Sequence, residues 1–148
     1  MENRLTVRFG PAGNCEDFYE KGYKSTVQAP EYLEKMGLDA YEYEAGNGIS
    51  AGEKSLAEVG EAARACGIEM SLHTPYYISL SGVDPEKRLK SVDYIMQSLH
   101  AAELLGADTI VIHSGSASKI TRDEAMDLAR DTLAHVMEAV GDTSIRLG

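Results

Sequence analysis

Residues 104–113 read Leu104-Leu105-Gly106-Ala107-Asp108-Thr109-Ile110-Val111-Ile112-His113. An apolar helical stripe stops at a glycine, and a β-branched run of strand length follows at once and closes on a histidine. The same phrase occurs earlier, where Cys66-Gly67 leads into Glu69-Met70-Ser71-Leu72-His73. Glycines 37, 67, 106 and 141 each separate a helical run from a β run, which predicts one helix-to-strand turn used four times.

Working outward, strands are expected over 5–9, 40–44, 69–73, 109–113 and, in part, 144–147. The helix over 30–36 starts with Pro30 at the first helical position. Ser50 and Glu53 read as a capping-box pair ahead of a stripe of Leu56, Val59, Ala63 and Cys66. Asp84-Pro85 reads as N-cap and first helical residue of a long helix with a stripe of Leu89, Val92, Met96, Leu99 and Leu105. Thr121 and Glu124 form a second capping-box pair before Ala125, Leu128, Thr132, Val136 and Val140.

Strands alternating with helices of this length predict right-handed βαβ units and a parallel sheet. Long segments, 10–29 and 74–83, follow two of the strands, whereas the connections after helices are short. That asymmetry favours a (β/α)8 TIM barrel, with its site at the strand C-terminal ends, over a doubly wound open sheet. A whole barrel takes about 250 residues. The 148 residues are therefore expected to form one domain, 1–148: the first four βα units and the start of a fifth strand, truncated at the C-terminus.

Composition bounds the function classes. A hydrophobic content of 43% with 26% charged residues is that of a soluble globular chain. No apolar stretch is long enough to cross a bilayer and no signal-peptide core follows Met1, so a cytoplasmic location without membrane partners is expected. Cys15 and Cys66 are too few and too far apart for a disulfide framework and are read as reduced bystanders. The net charge of −10 repels phosphates and removes any argument from a basic surface to nucleic acid. Bound divalent metals can reverse that sign locally, so DNA remains an open substrate.

Alternation puts Ser71 and His73 on one strand face, and Thr109, Val111 and His113 on the equivalent face of the next strand. Both histidines then point inward at the top of neighbouring or near-neighbouring strands, where neutral imidazoles suit zinc and similar metals. Each is equally readable as a satisfied polar residue at a strand end. Glu42 and Glu44 also share a face; inward, Glu42 would pair with Arg8, and outward, Tyr41 and Tyr43 would fill the interior. His100 and His135 read as helix-surface residues. Ser114, Gly115, Ser116, Ser118 and Lys119 make a Ser/Gly loop that either cradles a phosphate or is an ordinary flexible connection.

The stretch Leu72-His73-Thr74-Pro75-Tyr76-Tyr77-Ile78-Ser79-Leu80 resembles the third-strand motif of endonuclease IV, the family 2 AP endonucleases. Val111-Ile112-His113-Ser114-Gly115-Ser116 resembles that family's fourth-strand motif, and one long helix fills the interval as it does there. The likeness is closest over 69–148; Phe9-Gly10-Pro11-Ala12-Gly13 departs from it, and the wider xylose isomerase-like TIM-barrel superfamily shares the scaffold.

The resemblance implies a multinuclear zinc site that hydrolyses phosphodiesters at abasic sites in DNA, a DNA-repair activity. Carried over, His73 and His113 match metal-ligand positions and Tyr76 matches a tyrosine that contacts DNA. Tyr76 is equally readable as a loop aromatic covering the core. The family's other ligands come from the fifth strand onward, so the chain alone is expected to be inactive, since a catalytic zinc takes three protein ligands. Two rivals stand beside this reading: a sugar isomerase or epimerase on the same scaffold, and a non-catalytic half-barrel that self-associates through its exposed edges.

Overall fold

The computed structural model describes residues 7–148. Its elements run α1 (Glu16–Glu20), a 3-10 turn (Thr26–Gln28), α2 (Ala29–Lys35), β1 (Ala40–Glu44), α3 (Glu53–Cys66), β2 (Glu69–His73), α4 (Pro85–Leu105), β3 (Thr109–Val111), α5 (Arg122–Val140) and β4 (Arg146–Leu147). The four strands are all parallel and lie in the sheet in chain order, β1-β2-β3-β4. A doubly wound sheet reverses its strand order at a switch point. No such reversal occurs among the described residues, and α2, α3, α4 and α5 pack each on the next, as successive helices do around a barrel.

Local chemistry accounts for most boundaries. Helices α3 and α4 end on Gly67 and Gly106, both left-handed with φ near +67° and +66°, a conformation that costs a side-chain-bearing residue. The turn at Gly141 has a different backbone, with ψ −136°, so the fourth use of that turn departs from the other glycines. Asp84 caps α4 by accepting from Glu86 N at 3.0 Å and Lys87 N at 3.5 Å. Thr121 and Glu124 form the full reciprocal capping box on α5.

Other expectations are corrected. Ser50 does not cap α3: Gly52 is its N-cap, with no side-chain bond, and Glu53 reaches His100 instead. Pro30 lies one residue inside α2, which begins at Ala29. The segment 10–29 is not all loop, because α1 and the 3-10 turn occupy part of it. On α4 the buried face is Ser91, Ile95, Ser98, Leu99, Ala101, Ala102 and Leu105, while Leu89 is 54% and Met96 36% exposed. Small residues let α4 lie close to its neighbours, and that contact selected the face over raw hydrophobicity.

Leu5 and Thr6 of the expected first strand lie outside the described residues. Within them, the backbone alongside β1 is that of 9–13. Phe9 O accepts from Ala40 N at 3.1 Å, Pro11 O from Glu42 N at 3.0 Å, and Gly13 N donates to Glu42 O at 3.0 Å. Ala12 and Glu42 form a parallel bridge, so among the described residues the pairing on this edge of β1 falls on 9–13.

The core lies between the sheet and its helices. Tyr41, Met70, Leu72 and Ile110 point into it against Leu33, Leu56, Val59, Ile95, Leu105 and Val136. The opposite strand face carries Glu42, Ser71, His73, Thr109 and Val111, all half-buried, as alternation requires. Among the described residues no helix is long and apolar enough to cross a membrane.

Candidate metal-binding site

The register positions the site. In the β1–β2 ladder Glu42 is opposite Ser71 and Glu44 opposite His73; in the β2–β3 ladder His73 is opposite Val111. His113 stands two residues beyond Val111, at the next inward position. Strand β3 ends before it, so His113 belongs to the loop rather than to the strand end that the sequence suggests.

The two histidines meet. His113 Nε2 lies 3.0 Å from His73 Nε2, with ring centroids 4.8 Å apart and planes at 62°. His73 is the enclosed member, its side chain 14% exposed, while His113 is open to solvent. Tyr76 covers both, its ring 5.1 Å from that of His73 and 5.5 Å from that of His113. Its hydroxyl donates to Glu44 Oε1 at 3.0 Å. That bond holds the phenol above its ordinary value, so it stays protonated.

Glu44 also lies 3.3 Å from His73 Nδ1, an ion-pair distance. The contact is out of line for a hydrogen bond, which leaves His73 Nδ1 buried without a hydrogen-bond partner; Thr74 Oγ1 shares that state. Beneath this layer Ser71 Oγ donates to Glu42 Oε2 at 2.9 Å. Arg8 does not join Glu42: it pairs with Glu69, the first residue of β2, at 2.6 Å. The glutamates thus face inward as one sequence alternative had it, but with a serine and a histidine as neighbours.

The donor set suits part of a metal centre. Two nitrogens on one tetrahedral zinc, each bonded at about 2.0–2.1 Å, lie roughly 3.3 Å apart. The Nε2 pair is close to that separation. Among the described residues no group of three His, Cys, Asp or Glu side chains converges to hold a metal ion.

Other sequence candidates fall elsewhere. His100 pairs with Glu53 and Glu103, and His135 with Glu138, all on exposed helix surface. Cys15 is exposed and Cys66 half-buried, both free. The Ser/Gly loop docks on the loop after β2: Ser81 N donates to Ser114 O at 3.2 Å and Ser81 Oγ to Ser116 O at 3.2 Å. Ser116 Oγ is engaged by Ser118 N at 3.2 Å. A cavity of about 670 Å3 opens beside it, lined among others by Ser79, Lys87, Ser118 and Lys119. A second, of about 460 Å3, lies against Ala125, Met126 and Leu133 of α5; neither is lined by His73 or His113.

Glu44 is the site residue that sequence reading undervalued. Its shared face with Glu42 was legible. Its place opposite His73 depends on a ladder register that alternation alone does not determine.

Comparison with known proteins agrees with this architecture. A family profile described as "Xylose isomerase-like TIM barrel" matches residues 30–148. A curated relative, "Probable endonuclease 4" of Acholeplasma laidlawii (strain PG-8A), is 27% identical over 84 residues, 55% of this chain and 29% of its own length. Among solved structures, a D-psicose 3-epimerase crystallised with D-fructose superposes with TM-score 0.70 at 18% identity, over 87% of this chain and 49% of that one. Endonuclease IV from Thermus thermophilus superposes with TM-score 0.56 at 18% identity, over 95% of this chain and 61% of that one. The chain thus spans 29% of that curated relative and 49% and 61% of these two solved structures. The parallel sheet in chain order, the outer helices and the profile match agree: the chain belongs to the xylose isomerase-like TIM-barrel family, of which it forms about four βα units.

Proposed function

We propose that this chain carries the histidine end of a zinc-dependent phosphodiester hydrolase that acts at abasic sites in DNA. The observation behind this reading is the convergence of His73 Nε2, at the C-terminal end of β2, and His113 Nε2, in the loop just after β3, at 3.0 Å on the inner face. The likeness to a curated protein named as an endonuclease 4 supports it.

His73 and His113 would hold the metal through Nε2, with the remaining ligands coming from outside this pair. Zinc supplies neutralisation of phosphate charge, acidification of water and stabilisation of the leaving oxygen. Tyr76 is 60% exposed and lies over the imidazoles, where it would meet the lesion strand by its ring face while its hydroxyl stays on Glu44. The acidic balance of the chain means that DNA is held through the metal site and loop contacts rather than by a general field.

A sugar isomerase or epimerase is the second reading, favoured by Glu42 and Glu44 on the inner face, with Glu44 beside His73. Carboxylates next to an imidazole suit proton transfer at a sugar carbon. One experiment separates the two: incision of abasic duplex DNA with zinc, against epimerisation of a small ketose, by the whole protein in which this sequence occurs. Incision lost on His73→Ala or His113→Ala supports the hydrolase. No incision at any zinc loading, with sugar turnover present, transfers the assignment to the second reading.

A further inference from the structure

We infer that Glu44 is the positioning residue of the histidine pair: it fixes His73 as the Nδ1–H tautomer, makes His113 the donor across the pair, and ties Tyr76 to the same carboxylate. The inference rests on the reading of His73 and His113 as a metal-binding pair, and it adds a residue to which the sequence motifs assign no role.

The chemistry follows from three contacts. Two imidazole nitrogens 3.0 Å apart cannot both present lone pairs to each other, so one Nε2 carries a proton in the metal-free protein. His73 Nδ1 is buried and its nearest charged neighbour is Glu44 Oε1 at 3.3 Å. A lone pair at Nδ1 would face that carboxylate and be repelled by it, whereas an N–H there is attracted even where it is not aligned for a full hydrogen bond. His73 therefore holds its proton at Nδ1 and accepts at Nε2, and His113 donates from Nε2. The tautomer of a ligating histidine is set by what its other nitrogen meets. His73 is thus arranged for a metal beforehand. His113, which is exposed, must shift its proton from Nε2 to Nδ1 by exchange with solvent before it ligates through Nε2.

The same Oε1 accepts from Tyr76 at 3.0 Å. One carboxylate oxygen thereby joins the enclosed ligand to the aromatic that covers it. Glu44 is held in turn by its place in β1 opposite His73.

The test is long-range 1H–15N NMR of the histidine-labelled, metal-free chain near pH 8, above the ordinary imidazole value of about 6.5. We expect His73 as Nδ1–H and His113 as Nε2–H in the wild type. Glu44→Ala should abolish the His73 bias and lower zinc affinity about tenfold or more. Glu44→Asp should restore part of both, and Tyr76→Phe should leave the His73 tautomer unchanged. His73 found as Nε2–H in the wild type would overturn the inference, and that measurement needs no variant to fold. An unchanged His73 tautomer in folded Glu44→Ala would overturn it equally. Expected tautomers in this chain, together with no incision of abasic DNA by the whole protein at any zinc loading, would leave Glu44 as the positioning residue and refute the hydrolase reading instead.

Discussion

Gly46 and Tyr76 pack so closely that a Cβ placed on Gly46 would overlap the Tyr76 ring. Tyr76 N also donates to Gly46 O at 2.9 Å, so the loop after β1 forms the seat of the loop after β2. Gly46→Ala should push the ring off the histidine pair and break the Tyr76–Glu44 bond. Overpacking of this kind costs about 1–3 kcal/mol. Urea unfolding measures the cost, and the Tyr76 ring signals in the NMR spectrum report the displacement; an unshifted ring contradicts the packing described.

Helix α4 depends on its cap and α3 does not depend on Ser50. Asp84→Ala should destabilise the fold by about 1 kcal/mol, because Glu86 N and Lys87 N lose their acceptor. Ser50→Ala should leave the urea midpoint unmoved, because Gly52 caps α3 without a side chain. Equal losses in the two variants would show that the sequence pattern had placed the α3 cap correctly after all.

Thr132 ties α5 to the loop that carries Tyr76. Its buried hydroxyl lies 2.8 Å from Leu80 O and 2.9 Å from Leu128 O, its single proton shared between them. Thr132→Val keeps the shape and leaves Leu80 O without its donor, for a loss of about 1–3 kcal/mol. The change should also speed hydrogen exchange in the 74–83 segment; exchange unchanged there would mean that the tether does not hold the loop.

The α5 cap gives a pH dependence. Hydrogen bonds from the Thr121 backbone N–H and then its hydroxyl hold the Glu124 carboxyl below its ordinary value of 4.5. A carboxylate lowered in the folded state adds stability above its unfolded value and loses it as pH falls through the lower, folded one. Stability of the wild type should therefore decline below about pH 4.5 more steeply than that of Glu124→Gln. Urea midpoints measured across that range check this, and parallel curves would deny Glu124 the role.

The strand and helix order from residue 30 onward, the parallel sheet and the inward-facing pair His73 and His113 were legible because period-2 alternation and glycine helix ends are local signals. What escaped was set between segments. The contact of α4 with its neighbours chose Ser91, Ser98, Ala101 and Ala102 as its buried face, where hydropathy had favoured Leu89 and Met96. Register chose Glu44 rather than Arg8 as the charged neighbour that matters on the inner face. The edge pairing of 9–13 on β1 includes two glycines and a proline, which carry no β pattern to read.

Zinc titration of the purified chain, with X-ray absorption to count imidazoles around the metal, tests the central claim most directly. The account predicts weak, substoichiometric zinc with two imidazole nitrogens at about 2.0–2.1 Å, abolished by His73→Ala or by His113→Ala. Zinc binding indifferent to both substitutions, or tight multinuclear binding by the monomeric chain, would contradict it.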